Sequence, residues 1–316
     1  MVDQPHAILF PGQGAQKLGM GKDFYDAFPA SRAVYERANE LLGYDLASIC
    51  FDGPSERLSE TAVCQPAILV TSLAILASLR EKNSFTSRTF VATAGLSLGE
   101  YTALAFAGAM TSDDAVRIVA RRGQLMSEAG ANRGGKMASI IGLSATEVIG
   151  AVEEAASFGL VVAANFNCPD QTVISGEETA VDRASELCKQ RGARMVIALA
   201  VSGAFHSPLM DTARKRLGVE LANVHFRTPA VSVVSNVTAR ETNGAEEIPG
   251  LLERQLVSPV RWDDSIRTLL ARGVTQFIEV GPGKTLAGLL RRIDRSVKVH
   301  SIDSVASAEA LEEWET

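Results

Sequence analysis

Covalent chemistry in this chain rests on a serine set on a sharp turn and on the groups that could take its proton. Residues 90–109 read FVATAGLSLGEYTALAFAGA. Phe90, Val91 and Ala92 close a buried strand, and Gly95-Leu96-Ser97-Leu98-Gly99 is a tight turn. From Glu100 onward the apolar residues Tyr101, Leu104, Ala105 and Gly108 repeat with a helical period. Strand, G-x-S-x-G and helix together make the nucleophile-elbow pattern. Its glycines let the backbone bend while the serine hydroxyl projects from the turn with a helix N-terminus behind it. The pentapeptide alone also fits a plain strand–helix connection; the flanks on both sides favour Ser97 as a nucleophile.

A serine needs a proton acceptor to attack at neutral pH, and histidine is the usual one. The chain has four histidines. His6 lies inside a first apolar strand, His225 sits beside Phe226 ahead of another, and His300 falls in an alternating Val-Lys-Val-His segment. His206 stands in Val201-Ser202-Gly203-Ala204-Phe205-His206-Ser207-Pro208, where one pattern of elements gives way to another. Junctions between domains line clefts, so His206 is the best-placed base. Arg122 is notable for its position. Ala115, Ile118, Val119, Leu125 and Met126 form an apolar helical stripe, and Arg122 falls on it, whereas Arg117 and Arg121 lie off it. A guanidinium facing a core must find an anion. Either an Asp or Glu of the chain pairs with it, or it is a bidentate clamp for a substrate carboxylate, which arginine suits better than lysine.

The elements that must hold these residues read as follows. A strand from His6 to Phe10 ends in Pro11-Gly12-Gln13-Gly14-Ala15-Gln16. That turn lacks both the Gly-Lys-Ser/Thr of a P-loop and a G-x-G-x-x-G opening a helix, so it reads as a tight connection. Helices are expected over 31–42 and 65–79, the second with Pro66 near its first turn. After the elbow helix, Thr111-Ser112-Asp113-Asp114 is a capped helix start. This order predicts an α/β core with a mostly parallel sheet. At Asn132-Arg133-Gly134-Gly135 the period changes. Strands over 136–141, 160–164, 171–175 and 195–200 alternate with helices over 145–156 and 179–191, the β-α-β-β-α-β order of a ferredoxin-like unit. The expected fold is therefore an α/β-hydrolase-like large domain, 1–133 and 205–316, with an inserted ferredoxin-like small domain, 134–204, over its cleft. Later strands are expected over 231–234 and 276–280, and Gly281-Pro282-Gly283-Lys284 leads into another helix. The acidic tail from Ala306 is expected to add little beyond solubility.

Bulk properties exclude several function classes. A net charge of −6 disfavours a nucleic-acid surface. Cys50, Cys64, Cys168 and Cys188 show no C-x-x-C pair and no zinc spacing, so reduced core thiols are expected and no metal. The N-terminal MVDQPHAILF has no basic region followed by a long apolar one, and no segment approaches the ~18 apolar residues of a membrane span. A cytoplasmic enzyme with no membrane association is the expectation.

These residues resemble the malonyl-CoA:acyl-carrier-protein transacylases and the related acyltransferase domains of fatty-acid and polyketide synthases. The carrying segments are Phe10-Pro-Gly-Gln-Gly-Ala-Gln16, Gln65-Pro66-Ala67, Gly95-Leu-Ser-Leu-Gly-Glu-Tyr101, Arg121-Arg-Gly123 with Met126, and Asn165-Phe-Asn167. Gly203-Ala-Phe-His-Ser-Pro208, Arg254-Gln-Leu256 with Pro259-Val260, and Gly281-Pro-Gly-Lys284 follow in the family's order. The resemblance implies that Ser97 is acylated, that His206 is general base and then acid, and that Arg122 grips the free carboxylate of a malonyl group. It implies an oxyanion hole from Gln13 and the backbone N–H of Leu98, which replaces the plain reading of the first turn. Gln255 and Asn236 match positions near which backbone carbonyls orient the histidine, so no triad Asp is expected. Asn165 and Asn167 would contact coenzyme A or the pantetheine arm, Gln65 would support the site, and Phe205 belongs to the Ala-Phe-His-Ser form of malonyl-selecting members. No metal or redox cofactor is implied. The partners implied are malonyl-CoA and an acidic acyl carrier protein, met by a local basic patch, and the chain is expected to be a monomer.

One departure stands out: most members have His before the nucleophile, and this chain has Leu96. The rival functions are a thioesterase or esterase on the same elbow, a transacylase dedicated to polyketide assembly, and a catalytically silent carrier-docking protein.

Overall fold

A strand that is apolar after its first residue, His6–Phe10 (β1), is the centre of the structure, and every residue of it is buried. The computed structural model describes residues 5–82, 84–85, 88–242, 244–311 and 314. Residues 1–4 of the N-terminal reading, and 312, 313, 315 and 316 of the tail, lie outside the described residues. β1 is buried because it has a strand on each side. The others of its sheet are Phe90–Gly95 (β2), Ser232–Val234 (β7), Gln276–Val280 (β8) and Lys298–Ile302 (β9). The order is β7-β2-β1-β8-β9, and every pairing is parallel. A parallel sheet covered by helices on its faces takes continuous apolar strands rather than alternating ones, as β1 does.

The second sheet contains Lys136–Ile141 (β3), Val161–Cys168 (β4), Gln171–Gly176 (β5) and Met195–Ala198 (β6), in the order β4-β5-β3-β6, all antiparallel. With the Ala145–Ala155 and Glu178–Gln190 helices, this is the ferredoxin-like arrangement. β4 runs further than the periodicity suggests, through the polar Asn165-Phe166-Asn167. The reason is a splice to the large sheet's side of the molecule. The Phe166 N–H donates to the Val260 carbonyl at 2.9 Å and the Val260 N–H to the Ala164 carbonyl at 2.8 Å.

Parallel strands all end at one edge, so the loops after β1, β2 and β7 converge there. Glycines make that convergence possible. A Cβ on Gly99 would lie 2.1 Å from the Phe10 carbonyl oxygen, and one on Gly95 would lie 1.9 Å from the Gly99 carbonyl carbon. A fourth strand end at this edge is that of β8, where Gly281 takes φ 142 and sits against Pro11. The buried Glu279 carboxylate accepts the Leu286 and Ala287 N–H groups of the following Thr285–Ile293 helix, at 2.9 and 3.0 Å.

Three expectations are corrected. The helix expected over 65–79 spans Thr61–Glu81, so Pro66 is interior, and the burial of Val63 and Cys64 ahead of it carries the helix back past the proline. That helix is also long and apolar enough to cross a membrane, with mean hydropathy 1.9, contrary to the sequence reading. In the fold, 89% of its apolar window is buried as a core helix. The acidic tail does pack: Leu311 is buried, its carbonyl accepts from Arg88, and Trp314 meets the rings of His6 and His300.

Gly99→Ala should destabilise the protein by about 3 kcal/mol or more, since the clash is with backbone that cannot move aside. Gly108→Ala, at φ 72 with nothing within 4 Å, should cost about 1 kcal/mol. Urea titration of both variants checks this, and equal losses would refute the close-approach account.

Candidate active site

β2 ends in the turn that carries Ser97, and Ser97 adopts φ 51, the left-handed region that side chains avoid. The turn is held in this strained form from behind. Asn236, on the loop after β7, accepts the Ser97 N–H on Oδ1 at 2.6 Å and donates from Nδ2 to the Gly95 carbonyl at 2.8 Å. The serine hydroxyl is thereby aimed outward, 2.7 Å from His206 Nε2.

His206 is 4% exposed and also strained, at φ 55. Its Nδ1 lies 2.8 Å from the Gln255 backbone carbonyl. A carbonyl only accepts, so Nδ1 carries the proton, and a neutral ring then presents a lone pair on Nε2 to the serine hydroxyl. Burial, and after it the charge of Arg122, push the imidazole down to about 4. The ring is neutral at physiological pH, as a base must be.

Arg122, from the Ser112–Arg133 helix, is 1% exposed. Nη1 donates to Gln65 Oε1 at 2.6 Å, and Nη2 donates to both Gln255 Oε1 and Ser97 Oγ at 3.0 Å. Its guanidinium lies over the Tyr101 ring, 5.4 Å from the centroid. Of the two readings left open by the sequence, no carboxylate of the described residues makes an ion pair with it. Neutral amide oxygens hold the cation in place without placing a carboxylate in contact with it. An incoming carboxylate beside Ser97 Oγ would meet that charge directly.

The donors for an oxyanion come from two turns. The Gln13 side chain is turned aside toward Thr61 Oγ1 and Gln65 Nε2, at 3.3 and 3.4 Å. Its backbone N–H and that of Leu98, at the start of the Gly99–Phe106 helix, have no acceptor among the described residues. Free N–H groups at a helix start are suited to developing negative charge.

These groups open into a cavity of about 140 Å³. Gly12, Gln13, Leu96, Ser97, Arg122 and His206 line one side of it. Met126, Met137, Asn165, Asn167, Val173, Leu199, Val201 and Phe205 line the rest. The splice at Val260 is what brings Asn165 and Asn167 to this wall. Gln65, Leu98, Gln255 and Asn236 stand behind the lining. Asn236 is a correction: its carbonyl accepts the Arg261 N–H at 3.0 Å, and its side chain clamps the elbow and not the histidine. Sequence reasoning missed the apolar wall from the second sheet, whose residues carry no chemical signal. It also missed Glu100, a carboxyl on the buried face of the elbow helix. Burial pushes that carboxyl up to about 7. Gly99 to Leu104 are all buried, so no single apolar stripe in the sequence marks Glu100 out.

The chain is similar to known proteins over nearly its whole length. Residues 8–313 match the acyl transferase domain family. The malonyl CoA-acyl carrier protein transacylase of Bacillus subtilis (strain 168) is 43% identical over 304 residues, which covers 96% of this chain and 95% of that protein. An acyl carrier protein S-malonyltransferase of Vibrio cholerae superposes with a TM-score of 0.92 at 39% identity, covering 98% of this chain and 100% of that one. A malonyl-transacylase solved in complex with its type II polyketide acyl-carrier protein superposes with a TM-score of 0.94 at 40% identity, covering 98% and 99%.

Proton transfer to His206 needs the neutral ring, which is lost as pH falls through its pKa. First-turnover acylation should therefore hold down to about pH 5 and fall with a midpoint of about 4. Removing the nearby cation in Arg122→Ala should raise that midpoint. Rapid-quench measurement of CoA release against pH checks both, and a wild-type limb at the ordinary histidine value of 6.5 would refute the assignment.

Proposed function

The chain belongs to the acyl transferase domain family, and on that premise we propose that it transfers the malonyl group of malonyl-CoA to the phosphopantetheine thiol of an acyl carrier protein, for fatty-acid synthesis. One observation carries the malonyl assignment: Ser97 Oγ lies within hydrogen-bond reach of both His206 Nε2 and a buried arginine that no carboxylate of the described residues neutralises. In a malonyl thioester the free carboxylate is separated from the reacting carbonyl by a single methylene. A clamp for that carboxylate must therefore sit next to the nucleophile, where Arg122 is.

In this reading residues 134–204 form one wall of the cleft and the large domain, 1–133 and 205–316, supplies the reacting groups. Arg122 releases Ser97 Oγ and takes the malonyl carboxylate. His206 Nε2 accepts the Ser97 proton as Oγ attacks the thioester carbonyl. The oxyanion forms against the backbone N–H groups of Gln13 and Leu98, each such donor being worth about 3 kcal/mol in related chemistry. The C–S bond then breaks, the proton passes from His206 to the CoA sulfur, and a malonyl ester remains on Ser97. The carrier thiol gives its proton to His206, attacks the ester, and Ser97 recovers its proton as the C–O bond breaks. The two half-reactions give ping-pong kinetics, and the chemistry uses side chains and backbone alone, with no cofactor. Asn165 and Asn167 contact the pantetheine arm shared by both substrates. The four cysteines are buried and unpaired, which supports a reducing, cytoplasmic setting.

Intact-mass measurement after mixing with malonyl-CoA should show a malonyl adduct, about 86 Da from its composition, that is absent in Ser97→Ala and discharged by holo-carrier. CoA release without an adduct or a carrier would instead indicate hydrolysis. Arg122→Ala should lower malonyl transfer on the order of a hundredfold or more, because it removes the only partner of a desolvated carboxylate, and should barely affect acetyl transfer. Equal losses for the two acyl groups would remove its clamp role.

A further inference from the structure

The reaction just described leaves one buried acid without a task. Glu100 is 3% exposed, in the first turn of the Gly99–Phe106 helix. Among the described residues no cation lies within ion-pair distance of it. Its Oε2 accepts instead from Gln255 Nε2 at 2.6 Å and from the Asn236 N–H at 3.3 Å. Both partners touch the reacting groups through other atoms. Gln255 accepts from Arg122 Nη2 on its side-chain oxygen and lies against His206 Nδ1 with its backbone carbonyl. Asn236 accepts the Ser97 N–H.

We propose that Glu100 is a positioning residue that sets the malonyl preference of the site by fixing which way round the Gln255 side-chain amide lies. The proposal rests on the malonyl-transfer reading. A glutamine amide has a donor end and an acceptor end. On one side of Gln255 stand two acceptors, Glu100 Oε2 and the Ser97 carbonyl, 2.6 and 2.9 Å from Nε2. With the nitrogen held there, Oε1 must face Arg122. The reversed amide would set its N–H groups against the guanidinium and its oxygen against a carboxylate and a carbonyl. In a buried site both contacts are repulsive, and Arg122 Nη2, Glu100 Oε2 and the Ser97 carbonyl each lose one hydrogen bond. Glu100 thus holds the acceptor that, with Gln65, aims the guanidinium at the space beside Ser97 Oγ. Among the described residues Arg122 Nε has no hydrogen-bond partner, so its pose rests on the two amides together with Ser97 Oγ and the Tyr101 ring. Small errors of aim in a charged clamp are expensive in rate.

Position and charge make opposite demands here, which allows a clean test. Burial raises the Glu100 carboxyl to about 7, so it carries part of a negative charge near Arg122 at neutral pH; that charge opposes the arriving malonyl carboxylate, and a merely electrostatic Glu100 would weaken malonyl binding. Glu100→Gln keeps the reach and an acceptor oxygen and removes the charge. Glu100→Asp keeps the charge and withdraws the oxygen by one methylene. The readout is the ratio of kcat/KM for malonyl-CoA to that for acetyl-CoA, with KM and kcat separated and holo-carrier as acceptor. Being a ratio, it is independent of the fraction of folded enzyme. Glu100→Asp should lower it about tenfold, chiefly through the KM for malonyl-CoA, and Glu100→Gln should keep it within about twofold of wild type. Retention in Glu100→Asp, a change in Glu100→Gln of either sign, or loss of both acyl transfers in proportion would overturn the positioning role. Absence of a malonyl adduct in the wild-type enzyme would overturn the functional reading instead, and it is seen before any variant is compared.

Discussion

A buried guanidinium with no carboxylate against it is the constraint around which the site is built. Arg122 is 1% exposed, and moving a charge out of water costs several kcal/mol unless it is well solvated by the protein. Evolution's usual remedy, an adjacent Asp or Glu, would cancel the charge. Here the work falls to two glutamine oxygens, the serine hydroxyl and the face of Tyr101. Amide oxygens accept hydrogen bonds without neutralising the cation. The residual positive charge then acts twice, adding to burial, the larger cause, in keeping the imidazole of His206 neutral, and leaving a favourable place for an anion beside the nucleophile.

The rest of the fold makes this arrangement rigid. The parallel sheet delivers the serine and its backbone donors to one edge, but His206 arrives from elsewhere, on the segment that returns from the second sheet. Its position relative to Arg122 is fixed by backbone packed against backbone. A Cβ on Gly130, in the Arg122 helix, would lie 2.1 Å from the Ser202 carbonyl oxygen, and one on Gly135 would lie 2.7 Å from Ala204. Ser202 also shares a 3.1 Å hydrogen bond with Thr61, which in turn accepts from Gln13. The loop with the candidate oxyanion donor and the segment with the candidate base are therefore joined across the cleft mouth.

The parts of this design that were legible in the sequence are those with a local cause. The elbow shows as strand, glycines and helix, and Arg122 shows as a charge on an apolar stripe. The second sheet shows as a change of period, with the bounds of β3 read correctly to the residue. What stayed hidden depends on contacts between distant segments. Nothing near Asn236 says that its side chain would take the Ser97 N–H, since the pairing is made by β7 lying beside β2. The extension of β4 through Asn165 and Asn167 depends on Val260. Pro66 misled because proline is at home in a first turn, whereas here tertiary burial of the residues before it outweighs one missing hydrogen bond. The tail was discounted for its charge, although Leu311 and Trp314 carry its packing.

The acidity of the group that His206 faces also bears on why a thiol, and not water, should take the acyl group. A base of pKa about 4 is a poor acceptor, and the cost of using it depends on the acid it faces. An ordinary thiol has a pKa of about 8.5 and water about 15.7. Full proton transfer to the same imidazole is therefore about seven pKa units less uphill from the carrier thiol than from water, and part of that difference is expressed in any transition state where the proton is moving. The same argument leaves the reverse reaction open, because CoA is also a thiol. Lowering the imidazole pKa makes both transfers more uphill by the same amount, so the discrimination lies in the acceptors and not in the base, and the Ser97 hydroxyl, itself a weak acid, relies on its alignment 2.7 Å from Nε2.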